Sequence, residues 1–253
     1  MLSFRLLRHA VLMLFHDPRA TLNVAWPLLA AMALTTLLSV IATPHVPGAM
    51  MGPMGMSPAI VLILAAGNTA IFLATAVAWH RHVLRGDAPR IVAPGRLRQM
   101  LTYAGTGIVI ALIIMVPVFL GMAIMSLTMG GMGMGMGRAV FAMATMIVLM
   151  VLFMALGLRL LTALPGAALR EPAPIRRAWR ATGGQWRCFL SLAVMIFVLQ
   201  SLPSLVPAAI ASVTYSALLA GIVAVLMSWA WALAGLSLAT TLWGHMVEGR
   251  DLR

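Results

Sequence analysis

The residues able to do chemistry are few, and their arrangement sets the first limits. The chain holds five acids, Asp17, Asp87, Glu171, Glu248 and Asp251, none paired at a motif spacing for acid–base work. His80 and His82 alternate, and a helix points two such rings apart, so they read as headgroup contacts rather than as a shared metal site. There is no Walker loop, no HExxH and no Gly-x-Ser-x-Gly. A single cysteine, Cys188, excludes an intramolecular disulfide and a Cys-based zinc site. This inventory predicts no catalytic residues and no resident cofactor.

Methionine supplies the alternative chemistry. Met50, Met51, Met54 and Met56 fall in one Gly/Pro-rich stretch with His45 close by, and Met132, Met134 and Met136 in a second, Met-Gly stretch. Thioethers are soft, uncharged ligands that suit Cu(I). The pattern resembles the Met-rich outer segments of copper-uptake channels, although their three-span plan is not matched. The competing reading is low-complexity sequence in which Met is an adaptable apolar filler.

Three polar residues stand inside otherwise apolar runs. Asn68 and Gln200 lie near the middle of two of them, where an unpaired amide in hydrocarbon is costly. Each is expected to face protein, as helix–helix glue or as a polar point on a substrate path. Arg159 lies near the end of a third run, from which it can snorkel to lipid phosphates or hold an anionic ligand.

The elements that must carry these residues are long and apolar. Of 253 residues 62% are hydrophobic and 9% charged, against roughly a quarter charged in soluble domains, so the solvent of this chain is largely lipid. Six apolar runs of span length appear near Val24–Ala42, Pro58–Ala78, Leu101–Leu127, Ala139–Leu161, Phe189–Ile210 and Tyr215–Trp243. Trp26, Trp79, Tyr103, Trp186, Tyr215 and Trp243 stand near run ends, as an aromatic belt requires. Pro117, Pro203 and Pro207 predict kinks, and Gly105, Gly107 and the pair Ala217 and Gly221 predict close helix packing. The segment Ser3–Phe15 is amphipathic and basic, and the run after it reads as a retained first span rather than a cleaved signal.

Charge orients the chain. All 17 basic residues are arginine, and all but Arg138 fall in the N-terminal segment, the tail, and the second and fourth connections, the last counted with Arg159 at the adjoining end of its run. The positive-inside rule then puts both termini in the cytoplasm. The net charge of +12 reads as contacts to anionic headgroups rather than to nucleic acid, because the arginines sit in short loops between apolar runs. The expected fold is an all-α integral membrane protein, one polytopic domain over residues 1–253. Its six transmembrane helices form three hairpins, with amphipathic helices at the inner interface. A weak internal repeat divides it into 1–90, 91–174 and 175–253. Two inner ends align as Trp79-His80-Arg81-His82 with Trp243-Gly244-His245-Met246, and Ala168–Pro172 resembles Leu84–Pro89.

The stretch Leu158-Arg159-Leu160-Leu161-Thr162-Ala163-Leu164-Pro165-Gly166-Ala167, followed by Pro174–Gly184, resembles the inner loop of bacterial six-span proteins of the YciC type. It is also similar to the membrane domain of some glycerophosphodiester phosphodiesterases. In that pattern an Arg and a Leu-Pro-Ala-like turn close one span, and an Ala-Trp-x-x-Thr-x-Gly helix leads into the next. The resemblance covers about 30 residues and implies a fold rather than an activity; the phosphodiesterase catalytic domain is not in this chain. The functional expectation is a non-enzymatic inner-membrane protein for membrane organisation or handling of lipids and small amphiphiles. The alternative is a Cu(I)-binding or Cu(I)-transporting protein.

Overall fold

The computed structural model describes residues 2–42, 57–129 and 136–252, and every regular element among them is helical. In order these are α1 (Leu2–His16), α2 (Pro18–Ala42), α3 (Pro58–Arg85), α4 (Arg96–Met129), α5 (Met136–Leu161), α6 (Leu164–Ala168), α7 (Pro174–Ala181), α8 (Trp186–Leu199), α9 (Leu202–Thr214) and α10 (Ala217–Met246). Six stretches are long and apolar enough to cross a membrane: Pro18–Ser39, Pro58–Arg85, Arg96–Ser126, Val140–Ala168, Trp186–Thr214 and Leu218–Met246. In hydrocarbon a helix satisfies its own backbone, so each of these runs can cross on its own as a helix. The chain is therefore an all-α, multi-pass membrane protein.

Most helices outrun the apolar stretches that define them, because a helix ends at its cap and not at its last apolar residue. Asp17 caps α2, its Oδ1 accepting the Ala20 N–H at 3.0 Å, with Pro18 preset for the first turn. Helix α3 continues past Ala78 to Arg85, where Gly86 takes φ +70° and its N–H returns to the His82 carbonyl.

The fifth run is broken. Helix α8 stops at Leu199, Gln200 and Ser201 form a turn, and α9 restarts at Leu202. Pro203 has no N–H for the Leu199 carbonyl and fits the first turn of a new helix. The kink expected at Pro203 is thus a full interruption, whereas Pro117 and Pro207 stay inside α4 and α9.

The chain forms two compact units, each drawn from separated stretches. The first comprises Met1–Ala10, Leu101–Leu199 and Leu238–Arg253. Its core joins Leu6 and Ala10 of α1, Ala155 of α5, Phe189, Leu192 and Ala193 of α8, and Leu238 and Leu242 of α10. Helix α5 packs along α8, and Gly121 of α4 lets Phe153 of α5 approach closely. The second unit comprises Val11–Met100 and Gln200–Ser237, and in it α2 packs along α3. Pro27 disturbs the α2 backbone, and the neighbouring carbonyls of Val24 and Ala25 accept hydrogen bonds from Thr75 Oγ1 (3.3 Å) and Trp229 Nε1 (2.9 Å).

Several expected roles change once burial is known. Trp79, Tyr103 and Trp243 are buried in protein and so cannot form the expected aromatic belt, whereas Trp26, Trp186 and Tyr215 are exposed. His80 is wholly buried and makes no headgroup contact. A Cβ on Gly105 or Gly221 would meet nothing within 4 Å, so these positions leave space where close packing was expected.

Three helix ends carry a residue of positive φ, and two of them add a histidine–carbonyl contact. His82 Nδ1 lies 2.9 Å from the Asp87 carbonyl, and His245 Nδ1 lies 2.8 Å from the Arg250 carbonyl. In both, the glycine before that carbonyl, Gly86 or Gly249, has φ +70°. At the end of α6 the Glu171 N–H bonds the Gly166 carbonyl, and Arg170 takes φ +61°. This geometry matches His82 with His245, one residue out of step with the Trp79–Trp243 alignment.

A candidate amphiphile groove

The segment that carries the family resemblance builds one connected structure within the first unit. Arg159 sits in the last turn of α5. Its Nε donates to Thr182 Oγ1 and its Nη2 to the Trp179 carbonyl, both at 2.9 Å. The guanidinium also lies over the Trp179 ring, 3.6 Å from the centroid. The Arg, the Trp and the Thr of the motif are therefore partners, and Arg159 ties the end of α5 to α7. A planar fork of donors is what this needs, since one side chain must satisfy a hydroxyl, a carbonyl and an aromatic face.

Between Arg159 and α7 lies α6, in which Pro165, Gly166, Ala167 and Ala168 are all buried. Gly166 is required there: a Cβ would overlap the indole of Trp243. Trp243 Nε1 donates to Glu248 Oε1 at 2.9 Å, and Glu248 Oε2 accepts from Arg250 Nε at 2.7 Å. Helix α7 starts after Ala173 (φ +47°) with Pro174 in its first turn. It buries Ala178 and exposes Arg176, Arg177 and Arg180.

The result is a groove of about 620 Å³ between the start of α4 and α7. Thr102, Gly105, Thr106 and Val109 form one wall; Pro174, Ile175 and Trp179 form the other, with Arg176 at the rim. The α4 residues fall at i, i+3, i+4 and i+7, which is one face of a helix. That spacing was visible in the sequence, where Gly105 suggested packing instead. From Thr102 to Val109 this face runs about 10 Å along the helix. An open apolar groove with one exposed guanidinium in its lining suits a molecule with a chain and an anionic head.

The other sequence-selected residues are elsewhere. Asn68 Nδ2 donates to Thr35 Oγ1 at 2.8 Å, joining α3 to α2 inside the second unit. Gln200 is half-buried at the break between α8 and α9. Met50, Met51, Met54, Met56, Met132 and Met134 lie outside the described residues, and the side chain of Met136 is likewise not described. Among the described residues no cluster of His, Cys, Asp or Glu could hold a metal ion. Asp87, Glu171 and Glu248 each engage an arginine, Arg81, Arg177 and Arg250, at 2.6–2.7 Å.

Fold and site together define a multi-pass membrane protein with a structured polar loop between its fourth and fifth spans. Comparison with known protein families, curated proteins and solved structures gives no significant match.

Proposed function

We propose that this is a non-enzymatic inner-membrane protein that holds anionic lipids or small amphiphiles at the cytoplasmic leaflet. The α4–α7 groove, with Arg176 at its rim, carries the reading. The arginine distribution supports cytoplasmic termini, and with them a groove facing the leaflet where anionic headgroups attract basic segments. Helices α1 and α7 then act as interfacial helices, and the arginine-rich inner loop matches the resemblance to six-span proteins of the YciC type. Four of the five acids are committed: Asp87, Glu171 and Glu248 to arginines and Asp17 to the α2 cap. Carboxylates so engaged support a binding role over an acid–base one.

The test is lipid retention by the purified protein, measured by native mass spectrometry. Phosphatidylglycerol should be retained over phosphatidylcholine, and Arg176→Gln should weaken the preference about fivefold, the worth of one cation near the surface. Equal retention of both lipids would overturn the proposal. A reporter active only outside the cytoplasm, fused after Gly55 or Gly133, should be active, and fused after Gly95, Ala173 or Arg253, silent. The Cu(I) alternative rests on the Met-x-Met spacing and requires Ag(I) binding to fall when the seven candidate methionines become Leu.

A further inference from the structure

The second unit contains a cavity of about 760 Å³, built from other residues but on the same plan. Asn23, Trp26 and Pro27 of α2 and Ala70 and Ile71 of α3 supply its helical walls, and the connection after α3 adds Arg90 to the lining of what is an open hollow. That connection is fixed in place. The buried Arg96 donates Nη2 to the Arg90 carbonyl at 2.8 Å and Nε to the Ile91 carbonyl at 3.2 Å. Its Nη1 donates to Gln99 Oε1 at 3.1 Å. Arg96 thus positions a wall as Arg159 does in the first unit, by donating to the backbone of the segment that forms it. In each unit a different arginine, Arg90 here and Arg176 there, is exposed on the cavity lining. Trp26 and Trp179 each add an exposed indole to the lining. Pro27 has no N–H to give the Asn23 carbonyl, which adds an acceptor to the same wall.

We infer that this cavity is a second binding site for an anionic glycerophospholipid, so that one chain binds two lipids. The acyl chain lies along Trp26, Ala70 and Ile71, the phosphate on the Arg90 guanidinium. Ala70, Ile71 and Ala74 line about 6 Å of α3, beside Asn23, Trp26 and Pro27, which lie within about 14 Å of the start of α2 at Pro18, so apolar wall and guanidinium are within reach of one lipid. Charge complementarity at the rim selects an anionic lipid over a zwitterionic one. The inference deepens the lipid-handling reading and rests on its ligand class, but uses none of the residues of the α4–α7 groove.

The experiment is native mass spectrometry of the full chain in detergent with phosphatidylglycerol, phosphatidylcholine or inorganic phosphate. The wild-type protein should retain two phosphatidylglycerols. Arg90→Gln should lower the affinity of one about fivefold, and Ala70→Trp, which fills the cavity at an exposed position, should remove it. In the background of Arg176→Gln, Arg90→Gln should weaken the remaining site as well. Loss of one lipid with Arg90→Gln but no effect of Arg176→Gln would sink the α4–α7 reading and leave this one standing. Two lipids bound with wild-type affinity by Arg90→Gln would overturn the second site, even if Ala70→Trp does not fold. Displacement of the lipid by inorganic phosphate at equal concentration would also overturn it, since the site would then be for phosphate alone.

Discussion

The Arg159 guanidinium lies 3.6 Å from the Trp179 ring centroid, and its Nη2 donates to the carbonyl of that same residue at 2.9 Å. One side chain therefore holds both the backbone and the ring of the residue that walls the groove. A lysine can supply the charge but not the planar fork. Arg159→Lys should lose about 1–2 kcal/mol, close to the loss for Arg159→Ala. Thermal unfolding in detergent checks this, and a lysine variant as stable as the wild type would contradict the assignment.

The Asn68–Thr35 hydrogen bond makes a prediction for the second unit. Asn68→Leu and Thr35→Val should each cost about 0.6–2 kcal/mol, the range for polar pairs between membrane helices. Because they remove the same bond, the double variant should cost clearly less than the sum. Strict additivity would show that the amide acts through another partner.

Gly166 and Trp243 give the sharpest steric test. Gly166→Ala drives a methyl group into a buried indole and should destabilise by about 1–3 kcal/mol. In the Trp243→Phe background the same change should cost markedly less, because the smaller ring vacates the contested volume. An unchanged cost in that background would mean the penalty comes from the α6 backbone and not from the indole.

The spans were legible in the sequence because span length and the absence of charge are one-dimensional properties, and the six apolar runs each became a crossing-length stretch. The break at Gln200–Ser201 was not, since Pro203 alone cannot distinguish a kink from a helix start. Burial of His80, Trp79 and Trp243 was not legible either: an aromatic near a run end looks the same whether it faces lipid or protein. Arg159 stood out as a charge in an apolar run, but its partners Trp179 and Thr182 lie 20 and 23 residues on and become neighbours only when α7 folds back. The groove left a trace in Thr102, Gly105, Thr106 and Val109, whose opposite wall begins more than 60 residues later. Pattern along one helix cannot reveal what stands across from it.

Covalent capture shows whether an anionic amphiphile sits between α4 and α7. A phosphatidylglycerol carrying a photoreactive group in its acyl chain is added to the full-length protein in vesicles, irradiated, and the adducts are mapped by peptide mass spectrometry. Adducts should concentrate on Thr102–Val109 and Ile175–Trp179 and fall several-fold with Arg176→Gln and with Gly105→Trp, which blocks the groove. Adducts spread evenly over lipid-exposed residues such as Phe141, Met143 and Val148, with no response to either substitution, would contradict that placement.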